Sequence, residues 1–442
     1  MSWTKKYLQS SSLLSKLVQN TGWLFFEKAI RYSLSFFVGL YVARYLGPHD
    51  FGRLSYVISF IEIGLPIAAL GFSEILVQEF TQKTFNEDEL LGTGLLMRLL
   101  GTLLVYSTLY VVYALFFHSD SVVRLLLIVF SVATLFRTFD VLDFYFQSRF
   151  EVKYPVLVST SAVIFSAMWK LFFIWTHKTV FYFGLAYLFE YIVLGVGFLL
   201  IAHARGIKCF RWKFNLEICK HLLSQCWPLI LSGVMVSISL RIDQLMLKPL
   251  QGEYFVGQYA AAVKISEFFY VIPAILSTTL LPMFYSLYKE NKELYLHRLK
   301  SVMCSFFWGF IFLGLIVQVT APTIVSFLYG QQFHEAAGPL VIHIYSGMAV
   351  AMGSIFSHKF VLDKTTIYSF WGSVAGALSN IGLNMLLIPY YGMVGAAMAT
   401  LISYVIPVFI VTFFCDRSVG RIYLQSIFYF AHVLKFLFAR KS

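Results

Sequence analysis

The feature that most constrains this chain is a series of apolar runs, each long enough to cross a bilayer, separated by short loops rich in Lys and Arg. A hydrocarbon core about 30 Å thick needs roughly 20 mainly apolar residues per helix. Read with that window, the sequence places spans near 22–46, 54–77, 92–117, 122–146, 155–176, 179–202, 222–249, 255–286, 300–328, 337–360, 366–388 and 393–415. Only 13% of residues are charged, against 59% hydrophobic, about half the charged share of a soluble domain. So few charges cannot cover a water-facing surface, but a lipid-facing one needs none. The expected fold is all-α integral membrane, with about twelve transmembrane helices in two six-helix halves.

Loop charges set the expected orientation. Loops on the N-terminal side of the spans carry most of the basic residues, including Lys5, Lys6, Lys16, the cluster from Arg205 to Lys220, Lys289, Lys292, Arg298, Lys300 and the tail from Arg417. The opposite loops hold Arg44, Arg53, Arg124, Lys178 and Lys248. Basic loops stay in the cytoplasm, so both termini are expected there and the number of spans is even. The net charge of +12 then points to anionic membrane lipid as a partner rather than to nucleic acid. The first span serves as its own targeting signal, because no short apolar segment ending in a small-residue cleavage site precedes it. The halves are expected at 1–206 and 221–415, joined by a basic linker, 207–220, and followed by a cytoplasmic tail, 416–442. The tail reads as an interfacial amphipathic helix over Ile422–Phe438, with a thirteenth span as the rival. Leu14, Leu17 and Val18 suggest a similar stripe near the N-terminus. Cys209, Cys219, Cys226, Cys304 and Cys415 show no metal-ligand spacing, and no disulfide, metal or cofactor is assigned.

The two halves share a short pattern. Gly47-Pro48-His49-Asp50-Phe51-Gly52 leads to Tyr56 and Glu62, and Gly252-Glu253-Tyr254-Phe255-Val256-Gly257 leads to Tyr259 and Glu267. Six spans per half is an even number, so the halves share one topology. That permits a two-fold axis along the membrane normal with a site between them.

Ionisable groups inside a bilayer cost roughly 2.5–3.5 kcal/mol each on insertion scales, and so they mark cavities or pairs. This sequence places Glu27, Lys28 and Arg31 in span 1, Glu62 in span 2, Arg137, Asp140 and Asp143 in span 4, Lys170 in span 5 and Glu190 in span 6. Arg241 and Asp243 fall in span 7, and Lys264 and Glu267 in span 8. Glu27 and Arg31 are four apart and can pair. Arg137 with Asp140, and Lys264 with Glu267, are three apart. Arg241 and Asp243 point to different faces. Glu27, Glu62, Arg137, Asp140, Asp243 and Glu267 read as ion pairs or coupling groups. Lys28, Arg31, Arg241 and Lys264 read as the lining of a cationic cavity suited to an anionic substrate. Tyr41, Tyr56, Tyr259 and Tyr270 are candidates to stack on sugars, with core packing as the alternative. His343 and His358 are candidate proton carriers or packing groups. No phosphate-binding loop, zinc-protease motif or serine-hydrolase elbow is present, and the chain is not expected to be an enzyme.

The run Val42-Ala43-Arg44-Tyr45-Leu46-Gly47-Pro48-His49-Asp50-Phe51-Gly52 resembles the end of the first span in polysaccharide flippases of the O-antigen translocase type. Arg241-Ile242-Asp243-Gln244 and Val256-Gly257-Gln258-Tyr259-Ala260-Ala261-Ala262-Val263-Lys264 agree with that resemblance, and the stretch from Asn384 to Thr400 carries it most specifically. The resemblance covers roughly 15–415. It implies the multidrug/oligosaccharidyl-lipid/polysaccharide exporter fold, two pseudo-symmetric six-helix bundles around a central cavity, in a bacterial cytoplasmic membrane. It also implies a polyprenyl-diphosphate-linked oligosaccharide as substrate, with a polysaccharide polymerase and a chain-length regulator as partners.

The physics agrees with such a cargo. A sugar hydroxyl in hydrocarbon without a partner costs several kcal/mol, so an oligosaccharide needs a wet path, while its lipid tail can stay in the membrane. Arg and Lys suit the diphosphate. A drug or cation exporter of the same superfamily, a membrane-embedded oligosaccharide polymerase and a non-transporting scaffold remain the rival readings.

Overall fold

The computed structural model describes residues 2–116, 120–208, 211–415 and 417–429, with side chains from Gly22 onward. The N-terminal stripe of Leu14, Leu17 and Val18, and the tail beyond residue 429, lie outside the side chains described. The described chain is helical: α1 Ser2–Ala69, α2 Phe72–Gln82, α3 Glu87–Phe116, α4 Ser121–Phe136, α5 Val141–Ser148, α6 Lys153–Trp175, α7 Val180–Ala204, α8 Leu216–Gln251, α9 Glu253–Glu290, α10 Lys292–Tyr329, α11 Ala337–His343, α12 Ser346–Leu362, α13 Ile367–Val405, α14 Thr412–Cys415 and α15 Arg417–Ile427. A 3-10 turn, Arg137–Asp140, separates α4 from α5, and a π-turn, Ile406–Val411, follows α13.

Among the described residues nine helices are long and apolar enough to cross a membrane, and the bent pair Gln331–His343 with Ser346–Leu362 makes a tenth. Two of the nine are too long for one crossing. Gly22–Gln82 has 61 residues, about 90 Å at 1.5 Å per residue, three times the hydrocarbon thickness. It breaks at Gly47, whose φ of 71° and ψ of 171° no helix accommodates. Ile367–Phe414 breaks in the same way at Gly392. Asn380 bonds Ser403, and Gly376 faces Pro407, pairs nearly equidistant from Gly392, so the two arms run antiparallel. Dividing both long helices gives the twelve crossings expected from hydropathy.

Packing divides the chain into two compact units, 1–46 with 60–234, and 47–59 with 235–442. The basic stretch 207–220 and α8 as far as Val234 belong to the first, while the turn at Gly47 belongs to the second. The first unit has a core of Phe72, Leu76, Phe146, Phe198, Ile218 and Leu222. The second centres on Phe284, Tyr295, Met303, Met352, Phe356 and Tyr423. Outward surfaces are apolar: Val319, Phe327 and Leu386 are 81%, 79% and 64% exposed, as lipid-facing positions must be. The short helix α15 is amphipathic as far as it is described. It buries Val419, Tyr423 and Ser426 against the second unit and leaves Arg417, Arg421 and Gln425 outside.

Candidate functional site

In the second unit the charged groups of α8 and α9 include two ion pairs, Arg241 with Glu267 and Lys248 with Glu253, and one buried carboxylate cluster. Arg241 Nη1 donates to Glu267 Oε1 at 2.8 Å, with Nη2 and Oε2 3.5 Å apart. Glu267 therefore pairs across helices with Arg241. A guanidinium presents a planar fork that matches a carboxylate, which an ammonium cannot do. Lys264 is half-buried on the same helix.

Asp243 lies two residues from Arg241 and points elsewhere, as 200° of helical rotation requires. It is 2% exposed. Tyr259 and Thr400 hydroxyls donate to its Oδ2, each at 2.5 Å, and Asn384 Nδ2 donates to its Oδ1 at 3.0 Å. All three partners are neutral. Asn384 also reaches Asn380, which bonds Ser403, and the Asn384 Oδ1 oxygen has no partner. Thr400 and Ser403 come from the second arm of the α13 hairpin, so the turn at Gly392 is what brings them to Asn380 and Asn384.

Tyr259 and Tyr270 are buried, and neither presents a ring for sugar stacking. Tyr270 donates to the His343 carbonyl at 2.5 Å and stacks on the His343 ring. Tyr56 is likewise buried, with the Lys248 ammonium 4.5 Å from its ring centre and Glu253 3.3 Å from that ammonium. Tyr41 is 60% exposed. The His358 ring is held by the Ser277 hydroxyl at 2.7 Å.

The first unit carries a separate set. Arg31 Nε donates to Glu27 at 2.7 Å, the pair expected from four-residue spacing, and Lys28 is exposed beside it. Asp140 does not take Arg137 as its hydrogen-bonded partner. It takes Arg98 of α3, with Nη2 to Oδ2 at 3.0 Å. The 3-10 turn over Arg137–Asp140 keeps the two residues on one face, but the Arg137 guanidinium lies 5.7 Å from the Tyr191 ring centre while Arg98 takes the carboxylate. Lys170 sits 3.8 Å from the centre of the Tyr187 ring and 3.9 Å from Glu190. Asp143 accepts from Gln147, and Glu62 is half-buried.

Sequence reasoning missed Arg98, although a lone Arg in a run of Leu and Met should have drawn notice. It also missed Glu79, a carboxylate 3% exposed that meets His221 at 3.0 Å. Thr400 was quoted within a motif but given no role. A hydroxyl among Gly, Ala and Met carries no signal until its partner is known. Lys28 and Arg31 lie in the first unit, and Arg241 and Lys264 in the second. Among the described residues no group of three His, Cys, Asp or Glu side chains is placed to hold a metal ion.

The family described as Polysaccharide biosynthesis protein matches residues 17–288. The capsular polysaccharide biosynthesis protein CapF of Staphylococcus aureus is 21% identical over 396 residues, covering 88% of this chain and 96% of CapF. Among solved structures, the lipid II flippase MurJ in an inward closed conformation superposes with a TM-score of 0.67 at 16% identity, covering 96% of this chain and 94% of MurJ. An inward-facing multidrug resistance transporter of the MATE family, in the MOP superfamily, superposes at 0.66 with 15% identity, over 92% and 95% of the two chains. The chain is therefore a membrane protein of the polysaccharide biosynthesis protein family, with the helical fold of the MOP superfamily.

Proposed function

We propose that this chain carries polyprenyl-diphosphate-linked oligosaccharides from the cytoplasmic to the outer face of a bacterial membrane by alternating access, with both termini in the cytoplasm. One observation carries the reading: a chain of a polysaccharide-building family consists, where described, of membrane-crossing helices and tight turns. Its part in that synthesis is then passage through the membrane rather than sugar transfer. Arg241 and Lys264 in the second unit, and Lys28 and Arg31 in the first, are the proposed diphosphate contacts. Arg241 is preorganised by Glu267, and a phosphate competing for the same fork would exchange one anion for another.

Among the carboxylates, coupling falls to Asp243. Asp140 and Glu267 have Arg partners, whereas Asp243 is surrounded by neutral donors. A buried carboxylate without a cation is satisfied by taking up a proton or a small cation. The unpartnered Asn384 oxygen is a ready second ligand.

The test is proteoliposome transport of a fluorescent lipid-linked oligosaccharide, with complementation of a deletion strain alongside. Wild-type protein should move the substrate and restore surface polysaccharide. Failure to move any lipid-linked oligosaccharide, together with efflux of organic cations, would replace this reading with a drug exporter.

A further inference from the structure

The second unit encloses a cavity of about 450 Å³, within the roughly 300–1,000 Å³ of small-ligand pockets. Its walls come from α8, α12, α13 and the π-turn after α13. The Ser239 carbonyl accepts from Asn380 at 3.5 Å and from Tyr404 at 3.4 Å, which ties α8 to the α13 hairpin. One turn earlier Val236 lines the void, and Val236 and Leu240 are 45% and 39% exposed. The cavity thus opens where α8 parts from α13.

Its chemistry selects among ligands. No Asp, Glu, Lys or Arg is among the lining residues. Five of the six serines that line it already donate within their own helices: Ser239 to Met235 O, Ser354 to Ala351 O, Ser357 to Ser354 O, Ser373 to Ser369 O and Ser403 to Thr400 O. Between them lie Val236, Leu240, Val350, Phe360, Pro407 and Val408, with the rings of Tyr368, Tyr404 and Tyr423. A phosphate would meet no cation there. A sugar could use the engaged hydroxyl oxygens only as acceptors and would set its remaining hydroxyls against apolar side chains, at roughly 1–3 kcal/mol each on mutational scales. A hydrocarbon chain loses nothing and gains contact. Small residues on α12 and α13, Gly353, Ser357, Gly372 and Ser373, line the void and keep bulky side chains out of it.

We propose that this cavity receives the isoprenoid tail of the lipid-linked substrate, while Arg241, one residue beyond the cavity-lining Leu240, holds its diphosphate. The inference rests on the proposed function, since it assigns the tail of that substrate. One turn of α8 then grips the junction of tail and headgroup, and the protein distinguishes its carrier lipid from bulk phospholipid.

The test uses purified full-length protein in proteoliposomes, with lipid-linked oligosaccharides bearing a long polyprenyl or a short geranyl tail. Ser373→Phe places a ring in the void, and Val319→Phe adds the same ring on an exposed face. Ser373→Phe should raise the half-saturating concentration of the long-tailed substrate by about tenfold, equivalent to 1.4 kcal/mol, and leave the short-tailed one within twofold. Val319→Phe should change neither. A photoreactive diazirine in the polyprenyl tail should label wild-type peptides 236–240, 369–376 or 403–408. Equal labelling by a diazirine phospholipid would overturn the proposal in favour of a bulk acyl chain, and so would labelling elsewhere. The photolabel decides even if Ser373→Phe does not fold. A wild type that moves long and short substrates equally sinks the tail site alone. One that moves neither sinks the proposed function.

Discussion

Gly52 and Gly257 each face the other's turn. A Cβ on Gly52 would stand 1.9 Å from the Glu253 carbonyl oxygen, and a Cβ on Gly257 would stand 1.9 Å from the Pro48 carbonyl oxygen. Each glycine follows the contacted turn position of its own strand of sequence by four residues, so the contact is reciprocal. The preceding glycines share a backbone state, φ 71° and ψ 171° at Gly47, and φ 91° and ψ 173° at Gly252. The short repeat read from the sequence is thus a local two-fold contact within the second unit.

Gly52→Ala and Gly257→Ala should each destabilise the protein by about 1–3 kcal/mol, because the obstacle is backbone and cannot rotate away. Gly309→Ala, where nothing lies within 4 Å of the added atom, should be neutral or slightly stabilising in its helix. Thermal unfolding in detergent would compare the three, and equal melting temperatures would disprove the close contact.

Arg241→Ala should insert and fold yet lower transport at least tenfold, since it removes a proposed phosphate contact and leaves Glu267 without its partner. Arg241→Lys should recover part of the activity, as charge is kept but the planar fork is lost. Full complementation by Arg241→Ala would remove the residue from the substrate path.

Asp243→Asn keeps the shape of the cluster and the acceptor for Tyr259 and Thr400. It should alter stability by no more than about 1 kcal/mol and abolish the dependence of transport on an imposed proton or sodium gradient. Retention of that dependence would assign coupling elsewhere.

Arg98→Met takes from buried Asp140 its hydrogen-bonded cation, and should cost about 3–5 kcal/mol. The double substitution Arg98→Met with Asp140→Leu should recover much of that loss, because the carboxylate that lost its hydrogen-bonded partner is gone as well. A double variant less stable than either single one would show that the pair itself holds α3 to the span-4 break.

Asp363, just beyond α12, titrates outside the spans. Burial raises its carboxyl, but hydrogen bonds from Lys359 and from Tyr288, the latter at 2.7 Å, outweigh it and hold the group below the usual carboxylate range. A carboxyl lowered on folding contributes stability that is present above its unfolded value, about 3.9, and lost as pH falls through the folded one. Melting temperature should therefore drop on acidification below about pH 4. Lys359→Met should flatten that part of the profile, and an unchanged profile would show that the pair contributes nothing.

The sequence by itself determined that the chain crosses a membrane about twelve times, because burial in lipid imposes length and apolarity on each span separately and no partner is needed to read it. It determined the Arg31–Glu27 pair too, since a helix places residues four apart on one face whatever surrounds them. Only the tertiary structure decided that Glu267 pairs with Arg241, that Asp140 pairs with Arg98, and that Asp243, Tyr259, Asn384 and Thr400 meet in one cluster. Those partners come from helices far apart in the chain. Their meeting depends on how neighbouring helices rotate and where they turn, at Gly392 above all, and apolar periodicity carries no record of either.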